Sequence, residues 1–548
     1  MSRRFLMAMA LSIMFFMVWS ILGERLGLLP KKQPKPPPEA IEGQAASDVQ
    51  DREPPGEEVP PEAAAKDLTD VETAAFEPVK TVPREEIVLE NEKMKLILDN
   101  QGGLIKYLEL KTYWQSTKKQ QRVVLALSGT TVHTAEVFFE NGQSTKDWMF
   151  EVERLNESRV RLTGTREGET LVKEFALGSD FQIRFSAETT SGREFLVSVG
   201  EGLQKIFPGE KVKPSLLSFG AMNPKFIQVA YSEEGDHETK DPSRLDTEGK
   251  FKPLLKEAKP IQWAGIKDVY FAKVLIPDLS CSNVYGVART YPGLDMPVPS
   301  VALLAEGSFQ GQFYVGPMKP EDLEKLGGVL NNLIEYGWAG LLSEGLFYVL
   351  KVSHNLVKNW GWAIILLTLL IRSAMFPLMI PSIRSSTKMR AVMPEMDVLR
   401  KKYSGKDMES KQKLNQEMFK LYKEKGINPF SSCFTMLLQM PVFIAYWSLL
   451  RSSISLRQAE WMFWIKDLSL KDPTYILPIV MAATMFLSMQ TVSMPSADLA
   501  QQKMMKFMPI MFSLLFIGMP SGLIIYMITS NIFTLFQTLL IKRRYAST

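Results

Sequence analysis

One arginine of this chain lies inside an apolar run. Arg372 falls within "TLLIRSAMFPL", and the run extends from about Trp360 to Ile383. An arginine at the centre of a membrane helix costs roughly 2.5–3.5 kcal/mol on the insertion scale, and such residues usually mark functional sites. Because a hydrated guanidinium avoids most of that cost, we expect Arg372 to face a water-filled recess.

Other apolar segments also contain polar side chains, which either join helices or line a recess. They are Thr368, Gln439, Thr484, Gln490, Thr529, Asn531 and Gln537. Four prolines in or beside these segments favour a recess, because each removes a backbone donor and loosens a carbonyl one turn earlier. They are Pro377, Pro441, Pro478 and Pro509. Since Arg372 lies towards a basic loop, the recess is predicted to open on the cytoplasmic side.

Catalytic motifs are missing from the sequence. It has no P-loop, no H-E-x-x-H and no G-x-S-x-G. Its histidines (His133, His237 and His354) lack metal-ligand spacing, and Cys281 and Cys433 are expected in different compartments, which argues against a disulfide. We therefore expect no enzyme activity, no cofactor and no metal.

Six apolar segments could cross a membrane: about 5–22, 359–380, 433–450, 475–492, 504–519 and 521–541. The loop 380–430 has twelve basic and six acidic residues, and the chain ends in a "KRRY" stretch. Because basic loops stay in the cytoplasm, both termini are predicted there, with the region 84–318 outside. The first segment, roughly 27 Å long as a helix, is predicted to be an uncleaved anchor.

The region 84–318 shows short alternating runs such as "EEIVLENEKMKLILDNQGGLIKYLEL", separated by turn formers such as Glu167-Gly168. This pattern predicts a large antiparallel β-sandwich. The predicted domains are an anchor (1–29), a disordered Pro/Glu-rich linker (30–78), the β-domain (79–320), a linker with an amphipathic helix (321–358), a helical core (359–541) and a basic tail (542–548).

Two amphipathic regions adjoin the apolar segments. In "GLLSEGLFYVLKVSHNLVKNW", Leu346 and Leu350 belong to an apolar stripe, which predicts a helix lying in the membrane interface or, alternatively, an ordinary domain helix. The loop 381–430 predicts two antiparallel helices, packed along a methionine-rich seam with Pro394 breaking the first. The basic cluster Arg400, Lys401 and Lys402 fits ribosomal RNA or anionic lipid, or it reflects positive-inside topology alone.

Long blocks of the chain resemble the YidC-type membrane protein insertases of Gram-negative bacteria. The blocks are "YGWAGLLSEGLFYVLKVSHNLVKNWGWAIILLTLLIRSAMFPL", "INPFSSCFTMLLQMPVFIAYWSLL", "LRQAEWMFWIKDLSLKDPTYILPI" and "QQKMMKFMPIMFSLLFIGMPSGLIIYMITSNIFTLFQ". In the β-domain, "QWAGIKDVYFAKVLIP" is similar to the last β segments of the family. The resemblance therefore runs nearly from end to end.

This resemblance implies a multi-domain membrane protein with six transmembrane α-helices and an all-β periplasmic supersandwich. Five of the helices would enclose a hydrophilic groove open to the cytoplasm and to lipid. The groove residues that it implies are Arg372, Thr368, Gln439 and Tyr526, and we add Asn531 from the polar set. Met527 stands where some relatives carry a second tyrosine.

The resemblance also implies a function as an inner-membrane insertase and chaperone. A substrate's polar segment would enter the groove, where Arg372 would meet its acidic residues, and its apolar segment would slide into lipid. The implied partners are nascent membrane proteins, the Sec translocon, the ribosome and the bilayer, with no DNA. The alternatives are a transporter or channel, which usually shows a repeat, and an anchored periplasmic sugar-binding protein or enzyme.

Overall fold

The computed structural model describes residues 82–126, 130–140, 142–203, 226–233, 236–292, 294, 296–336, 340–403, 408–427, 431–491 and 499–546. The predicted anchor (1–29) and the predicted linker (30–78) lie outside these residues.

The region 86–317 forms antiparallel β-structure, as its alternating pattern predicts. The strands are β1 (Glu86–Glu90), β2 (Met94–Asp99), β3 (Leu104–Trp114), β4 (Arg122–Ala126), β5 (Val137–Phe139), β6 (Phe150–Arg154), β7 (Arg159–Arg166), β8 (Glu169–Leu177), β9 (Gln182–Thr189), β10 (Glu194–Ser198), β11 (Gln228–Glu233), β12 (Asp236–Lys240), β13 (Lys252–Pro253), β14 (Ile261–Lys267), β15 (Phe271–Pro277), β16 (Val284–Arg289), β17 (Val298–Glu306) and β18 (Ser308–Pro317).

Two sheets share one hydrophobic core. The smaller sheet has the order β1-β2-β3-β4, and the larger sheet has 14 strands, with β12-β11-β14-β15-β18-β9-β8-β7-β6 as its main path. The predicted turn Glu167-Gly168 joins β7 to β8, with both residues at positive φ. Such a two-residue turn matches the twist of the strands that it connects. The prediction of a large antiparallel β-domain is confirmed.

An inward-facing lysine ties the two sheets together. On β8, Lys173 takes a core position between Leu171 and Phe175, and it is fully buried. Its Nζ donates to the carbonyl oxygens of Gly102 and Gly103 at 2.9 Å and of Ala135 at 3.0 Å. Burial lowers the pKa of Lys173 to about 7, while the nearby Glu136 carboxylate acts in the opposite direction. The three carbonyl acceptors therefore make a lysine possible at a core position of β8.

Helices form the rest of the described chain. They are α1 (Pro320–Leu323), α2 (Gly340–Val357), α3 (Trp360–Lys402), α4 (Met408–Glu424), α5 (Ser431–Ser452), α6 (Ile476–Thr491), α7 (Leu499–Phe516) and α8 (Ser521–Ala546). α3 combines the predicted span 359–380 with the first helix of the predicted hairpin. The predicted break at Pro394 was wrong, because Pro377, Pro381 and Pro394 all lie on exposed positions of one continuous helix. Their rings therefore do not collide with packed neighbours.

The hairpin seam is largely the predicted one. Met389, Val392 and Met396 of α3 pack against Met418 and Tyr422 of α4 in a separate apolar cluster. An ion pair between Lys425 and Glu395, with 2.8 Å between Nζ and Oε1, also links the two arms of the hairpin. The two antiparallel helices predicted for 381–430 are therefore present on either side of residues 404–407, which lie outside the described residues.

α2 does not present its predicted stripe to the outside. Leu346 (7% exposed) and Leu350 (0%) pack into the core formed with α3 and α5. Ser343 lies on the same buried side, where its hydroxyl donates to the Ala445 carbonyl at 3.2 Å. The outward residues include Leu341 and Leu356, which are 89% and 76% exposed. The predicted placement of Leu346 and Leu350 in the membrane interface was wrong, because both pack against two neighbouring helices.

The loop between α5 and α6, residues 453–475, contacts the β-domain, and we call it the docking loop. Arg457 Nη2 and Gln458 Nε2 both donate to the carbonyl oxygen of Trp114 at the end of β3, at 2.6 and 2.8 Å. On another side of this contact, Lys351 of α2 pairs with Glu321 of α1 at 2.6 Å between Nζ and Oε1. These contacts fix the β-domain against the end of the helical region where α3 begins.

Candidate functional site

Thr368 begins a polar path through the helical region. It is 1% exposed, and its Oγ1 donates to the Ile364 carbonyl at 2.6 Å, which satisfies the hydroxyl within α3. The same Oγ1 lies 3.1 Å from the phenolic oxygen of Tyr446 on α5. That phenol in turn donates to the Ile364 carbonyl at 3.2 Å. α3 and α5 are thus joined by hydrogen bonds inside an otherwise apolar core.

Tyr526 extends this path to α8. Its ring stacks on the ring of Tyr446, with 4.2 Å between centroids and 20° between planes. Its phenolic oxygen accepts from Gln439 Nε2 at 2.6 Å. Three predicted site residues (Thr368, Gln439 and Tyr526) therefore belong to one connected set, which spans three helices.

Arg372 lies one turn after Thr368 and faces α8. It is 8% exposed, and its guanidinium Nη2 donates to the hydroxyl of Ser530. Gln537 Nε2 donates to the backbone carbonyl of Arg372 at 3.4 Å. Among the described residues, no carboxylate lies within ion-pair distance of this guanidinium. The charge is therefore held by a neutral hydroxyl, and it keeps its capacity to attract an anion.

Two amide oxygens of this region lack protein partners. Gln439 Oε1 and Gln537 Oε1 are both buried and accept no hydrogen bond from the described residues. A buried polar atom of this kind is normally paired with water or a ligand. Together with the Arg372 guanidinium, these oxygens are buried polar groups of the contacts among α3, α5 and α8. We call the region of Thr368, Arg372, Gln439, Tyr446, Tyr526, Ser530 and Gln537 the polar groove.

Asn531 does not join the polar groove. Its Nδ2 donates to Thr484 Oγ1 of α6 at 3.4 Å, so it links α8 to a different helix. At 100° per residue along an α-helix, Asn531 is rotated about 100° from Ser530. The sequence grouped it with the groove residues because it is polar, but the structure places it on another face.

The other predicted site residues also lie elsewhere. Leu346 and Leu350 pack in the apolar core, as described above. Arg400 donates to Asp397 Oδ1 at 2.8 Å, and Lys401 and Lys402 are exposed. This basic cluster ends α3 about 40 Å of helix beyond Arg372. It therefore forms a separate surface.

Two residues of the polar groove were not predicted from the sequence. Tyr446 and Ser530 are common types in apolar helices, so neither stood out. Position offered the missing signal, since Tyr446 follows Gln439 by seven residues and Ser530 follows Tyr526 by four. Both spacings place side chains on one helix face.

The described residues offer no group of three His, Cys, Asp or Glu side chains that could hold a metal ion. In the same part of the chain, Trp360–Ser385 and Ser521–Ile541 are long and apolar enough to cross a membrane, and Ile476–Gln490 and Phe507–Phe516 are shorter apolar helices. The polar groove therefore lies between helices of membrane-spanning character.

Comparison with known proteins identifies relatives over nearly the whole described chain. Residues 86–349 match the family model described as "YidC periplasmic domain", and residues 352–548 match "60Kd inner membrane protein". A membrane protein insertase YidC of Actinobacillus pleuropneumoniae is 32% identical over 480 residues, which cover 83% of this chain and 85% of that protein.

Another relative and one solved structure extend this comparison. The membrane protein insertase YidC of Pasteurella multocida is 31% identical, over 83% of this chain and 86% of that protein. A crystal structure of an active YidC insertase with its first transmembrane domain resolved is 20% identical and covers 84% of this chain and 94% of that one, with a TM-score of 0.37.

Proposed function

From the premise that this chain belongs to the YidC family of membrane protein insertases, we propose that the polar groove receives the polar segment of an inserting protein. The apolar segment of the same protein then leaves sideways into lipid. Burial of that apolar surface in hydrocarbon supplies the driving force. No nucleotide-binding motif is needed for this cycle.

The observation that carries the proposal is the state of Arg372. Its guanidinium is buried, is held by the Ser530 hydroxyl and has no carboxylate partner among the described residues. A buried charge without a counter-ion costs several kcal/mol unless it is hydrated or serves a function. A substrate carboxylate that enters the polar groove would meet this charge, while Gln439 Oε1 and Gln537 Oε1 accept hydrogen bonds from water or peptide N–H groups.

A six-span topology completes the proposal. It combines the N-terminal anchor with the spans in α3, α5, α6, α7 and α8. α3 and α8 both begin at the β-domain end, where Ser521 N donates to Leu470 O at 2.7 Å in the docking loop. Both helices therefore run towards the cytoplasm if the β-domain is periplasmic. The excess of Lys and Arg in 380–430 supports that orientation, with both termini cytoplasmic.

The two amphipathic elements take supporting roles in this proposal. The exposed apolar residues of α2, among them Leu341, Tyr348 and Leu356, would rest in the periplasmic interface of the inner membrane. Leu346 and Leu350 hold α2 against α3. The exposed Lys401 and Lys402 at the end of α3 would meet the ribosome or anionic lipid headgroups. Contact with the Sec translocon is proposed from the family resemblance alone. This role requires no catalytic group and no cofactor.

Insertion assays with charge variants of Arg372 test the proposal. Each variant is assayed with one substrate whose translocated segment contains Asp or Glu, and with a matched substrate in which these are Asn or Gln. Two unit charges 4 Å apart interact by about 1 kcal/mol in water and more in a low dielectric, which corresponds to at least a fivefold change in rate. Arg372→Lys should retain insertion, whereas Arg372→Glu should reduce insertion of the acidic substrate by at least about fivefold.

The matched neutral substrate is the control for folding. All variants must accumulate in the membrane at the wild-type level and insert the neutral substrate normally. If Arg372→Leu inserts both substrates at the wild-type rate, the charge in the polar groove plays no part in substrate reception.

A further inference from the structure

The docking loop is bonded to the first residues of α3 and α8. Asn359, which caps α3, donates from its Nδ2 to the carbonyl oxygen of Glu460 at 3.1 Å. Ser521, which begins α8, donates from its backbone N–H to the carbonyl oxygen of Leu470 at 2.7 Å. The segment 460–470 of the docking loop therefore lies level with the ends of both helices at the β-domain.

The length of α8 sets the depth of this level in a membrane. The apolar span Ser521–Ile541 has 21 residues, which as a helix extend over about 30 Å and so match the hydrocarbon core of a bilayer. Lys542 and Arg543 follow directly at the other end. When α8 spans this core, Ser521 and the neighbouring Leu470 lie at the boundary between hydrocarbon and headgroups on the β-domain side.

Large apolar side chains are exposed at this boundary. Phe463 and Leu470 of the docking loop are 75% and 50% exposed, and Trp362, in the first turn of α3, is also exposed. Tyr475 and Ile476, where the docking loop enters α6, are exposed as well. Aromatic side chains are enriched at the two interfaces of membrane proteins, where their rings lie at the level of the headgroups.

Phe463 is held outwards by its neighbours. Its φ of 53° is left-handed, which is rare for a bulky side chain. The ring stacks on Trp464 with 5.9 Å between centroids, and Trp464 Nε1 donates to Asp472 Oδ1 at 2.9 Å. Asp472 Oδ2 in turn accepts from the backbone N–H of Leu477 in the first turn of α6, at 2.7 Å. The exposed ring is therefore fixed relative to α6.

The exposed charges beside Phe463 suit a layer of phosphate groups. Lys466 and Lys471 are exposed, whereas Asp467 and Asp472 are buried and accept hydrogen bonds from within the chain. The one exposed carboxylate of this stretch, that of Glu460, pairs with Lys466 at 3.1 Å. Lysines next to exposed apolar side chains extend their ammonium groups to the phosphate level, while their stems remain on apolar surface.

The β-domain occupies a different part of the docking loop. Ile454 packs into the core of the β-domain, and Arg457 and Gln458 donate to the Trp114 carbonyl. These contacts leave Phe463 exposed. Because lipid surrounds membrane-spanning helices at the level where they begin, the bilayer is the partner that is continuous with this exposed surface.

We propose that the docking loop enters the leaflet on the β-domain side, with Phe463 as its anchor. Phe463 and Leu470 lie at the boundary between acyl chains and headgroups, and Lys466 and Lys471 lie among the phosphates. Since the same loop contacts the β-domain through Arg457, this anchor also holds the β-domain at the membrane surface. The proposal rests on α3 and α8 spanning the membrane, as in the proposed function, but not on the polar groove.

Spin labels in the docking loop test this placement. The full chain, with alanine in place of Cys281 and Cys433, is reconstituted in liposomes of phosphatidylethanolamine and phosphatidylglycerol. A nitroxide is attached to Phe463→Cys, and its collisions with oxygen, which concentrates in lipid, are compared with its collisions with a water-soluble nickel chelate. The ratio of oxygen to nickel collisions should be several-fold higher than for Lys466→Cys, the matched control in the same loop.

A label on Leu370→Cys separates this inference from the proposed function. Leu370 is exposed on α3, eight residues after Trp362, and its label should report lipid. Lipid at 370 with water at 463 would overturn this inference and leave the proposed function intact. Water at 370 would contradict the spanning helices on which both depend. A label at 463 that neither reagent reaches would mean that a protein segment covers it, and would also overturn the inference.

A second arm tests Phe463 as the anchor. With the label on Leu470→Cys, Phe463→Asp should move the label towards water, so that its ratio of oxygen to nickel collisions falls several-fold. Phe463→Leu is the control, because it keeps an apolar side chain and should leave the ratio unchanged. An equal ratio in Phe463→Asp and Phe463→Leu would overturn the assignment of Phe463 as the anchor.

Discussion

Replacement of Arg372 with methionine should stabilise the helical region while it weakens insertion of acidic segments. Methionine is unbranched and adaptable, so it can fill the space of the arginine stem. The change removes a charge whose insertion cost is about 2.5–3.5 kcal/mol. It also removes the hydrogen bond to Ser530, and a charge-assisted bond of this kind contributes about 1.5–3 kcal/mol. The free energy of unfolding should therefore rise by up to about 2 kcal/mol.

The partner variant gives the opposite sign. Ser530→Ala leaves the guanidinium buried without its hydroxyl partner, and it should lower the free energy of unfolding by about 1.5–3 kcal/mol. In the double variant Arg372→Met, Ser530→Ala, no buried charge loses a hydrogen-bond partner. Ser530→Ala should therefore change the free energy of unfolding very little in that background. Such non-additivity is expected for two groups in direct contact.

Reversible unfolding of the full chain in bicelles, titrated with a denaturing detergent and followed by tryptophan fluorescence, measures these differences. The four proteins of the cycle must be compared in one lipid composition. A loss of more than about 2 kcal/mol in Arg372→Met would mean instead that the arginine stabilises the fold more than its burial costs. A gain in stability together with slower insertion of acidic segments would identify Arg372 as a functional group kept at a cost.

Three further predictions concern the regions around the polar groove. Burial lowers the pKa of both Lys173 and Lys273 in the β-domain from 10.5 to about 7, so the unfolded chain binds more protons between these pH values. The urea midpoint of the β-domain, measured by pulse proteolysis, should therefore rise from pH 7 to pH 9, and Lys173→Met should remove about half of that rise, because Lys273 keeps its share. Arg457→Ala should loosen the β-domain from the helices by about 1.5–3 kcal/mol, seen as broader spin-label distances across the junction, whereas Lys466→Ala in the same loop should not. Leu350→Glu puts a charge into the core and should abolish accumulation, whereas Leu356→Glu at an exposed position should accumulate but insert substrates more slowly.

The β-domain could be predicted from sequence as a class but not in its pairing. Short alternating runs and turn residues such as Glu167-Gly168 are local signals, and they predict strands and hairpins correctly. Two partners of β18, namely β9 and β15, depend on contacts between distant parts of the chain. Lys173 shows the same limit, because an inward lysine is stabilised by carbonyl groups from three distant residues that no local pattern reveals.

The polar groove could be predicted in part, because polar residues are conspicuous in apolar runs. Arg372, Thr368 and Gln439 were predicted in this way and Tyr526 by resemblance, and the structure brings Thr368, Gln439 and Tyr526 into one set. The hydrogen-bond partners Tyr446 and Ser530 were missed, since a tyrosine or a serine is unremarkable in a membrane helix. Asn531 was misassigned for the converse reason: polarity indicates a site in a helix, whereas rotation about the helix axis decides which neighbour the side chain meets.

Photo-crosslinking from Gln439 can decide whether the polar groove receives a substrate's polar segment. A photo-crosslinking amino acid at Gln439 is compared with the same group at Leu370, which is exposed on α3 outside the groove, using stalled nascent chains with an acidic translocated segment. Adducts should form from Gln439 to that polar segment, and few should form from Leu370. Adducts from Leu370 with none from Gln439 would contradict this proposal, because the substrate would then cross along the lipid-facing surface.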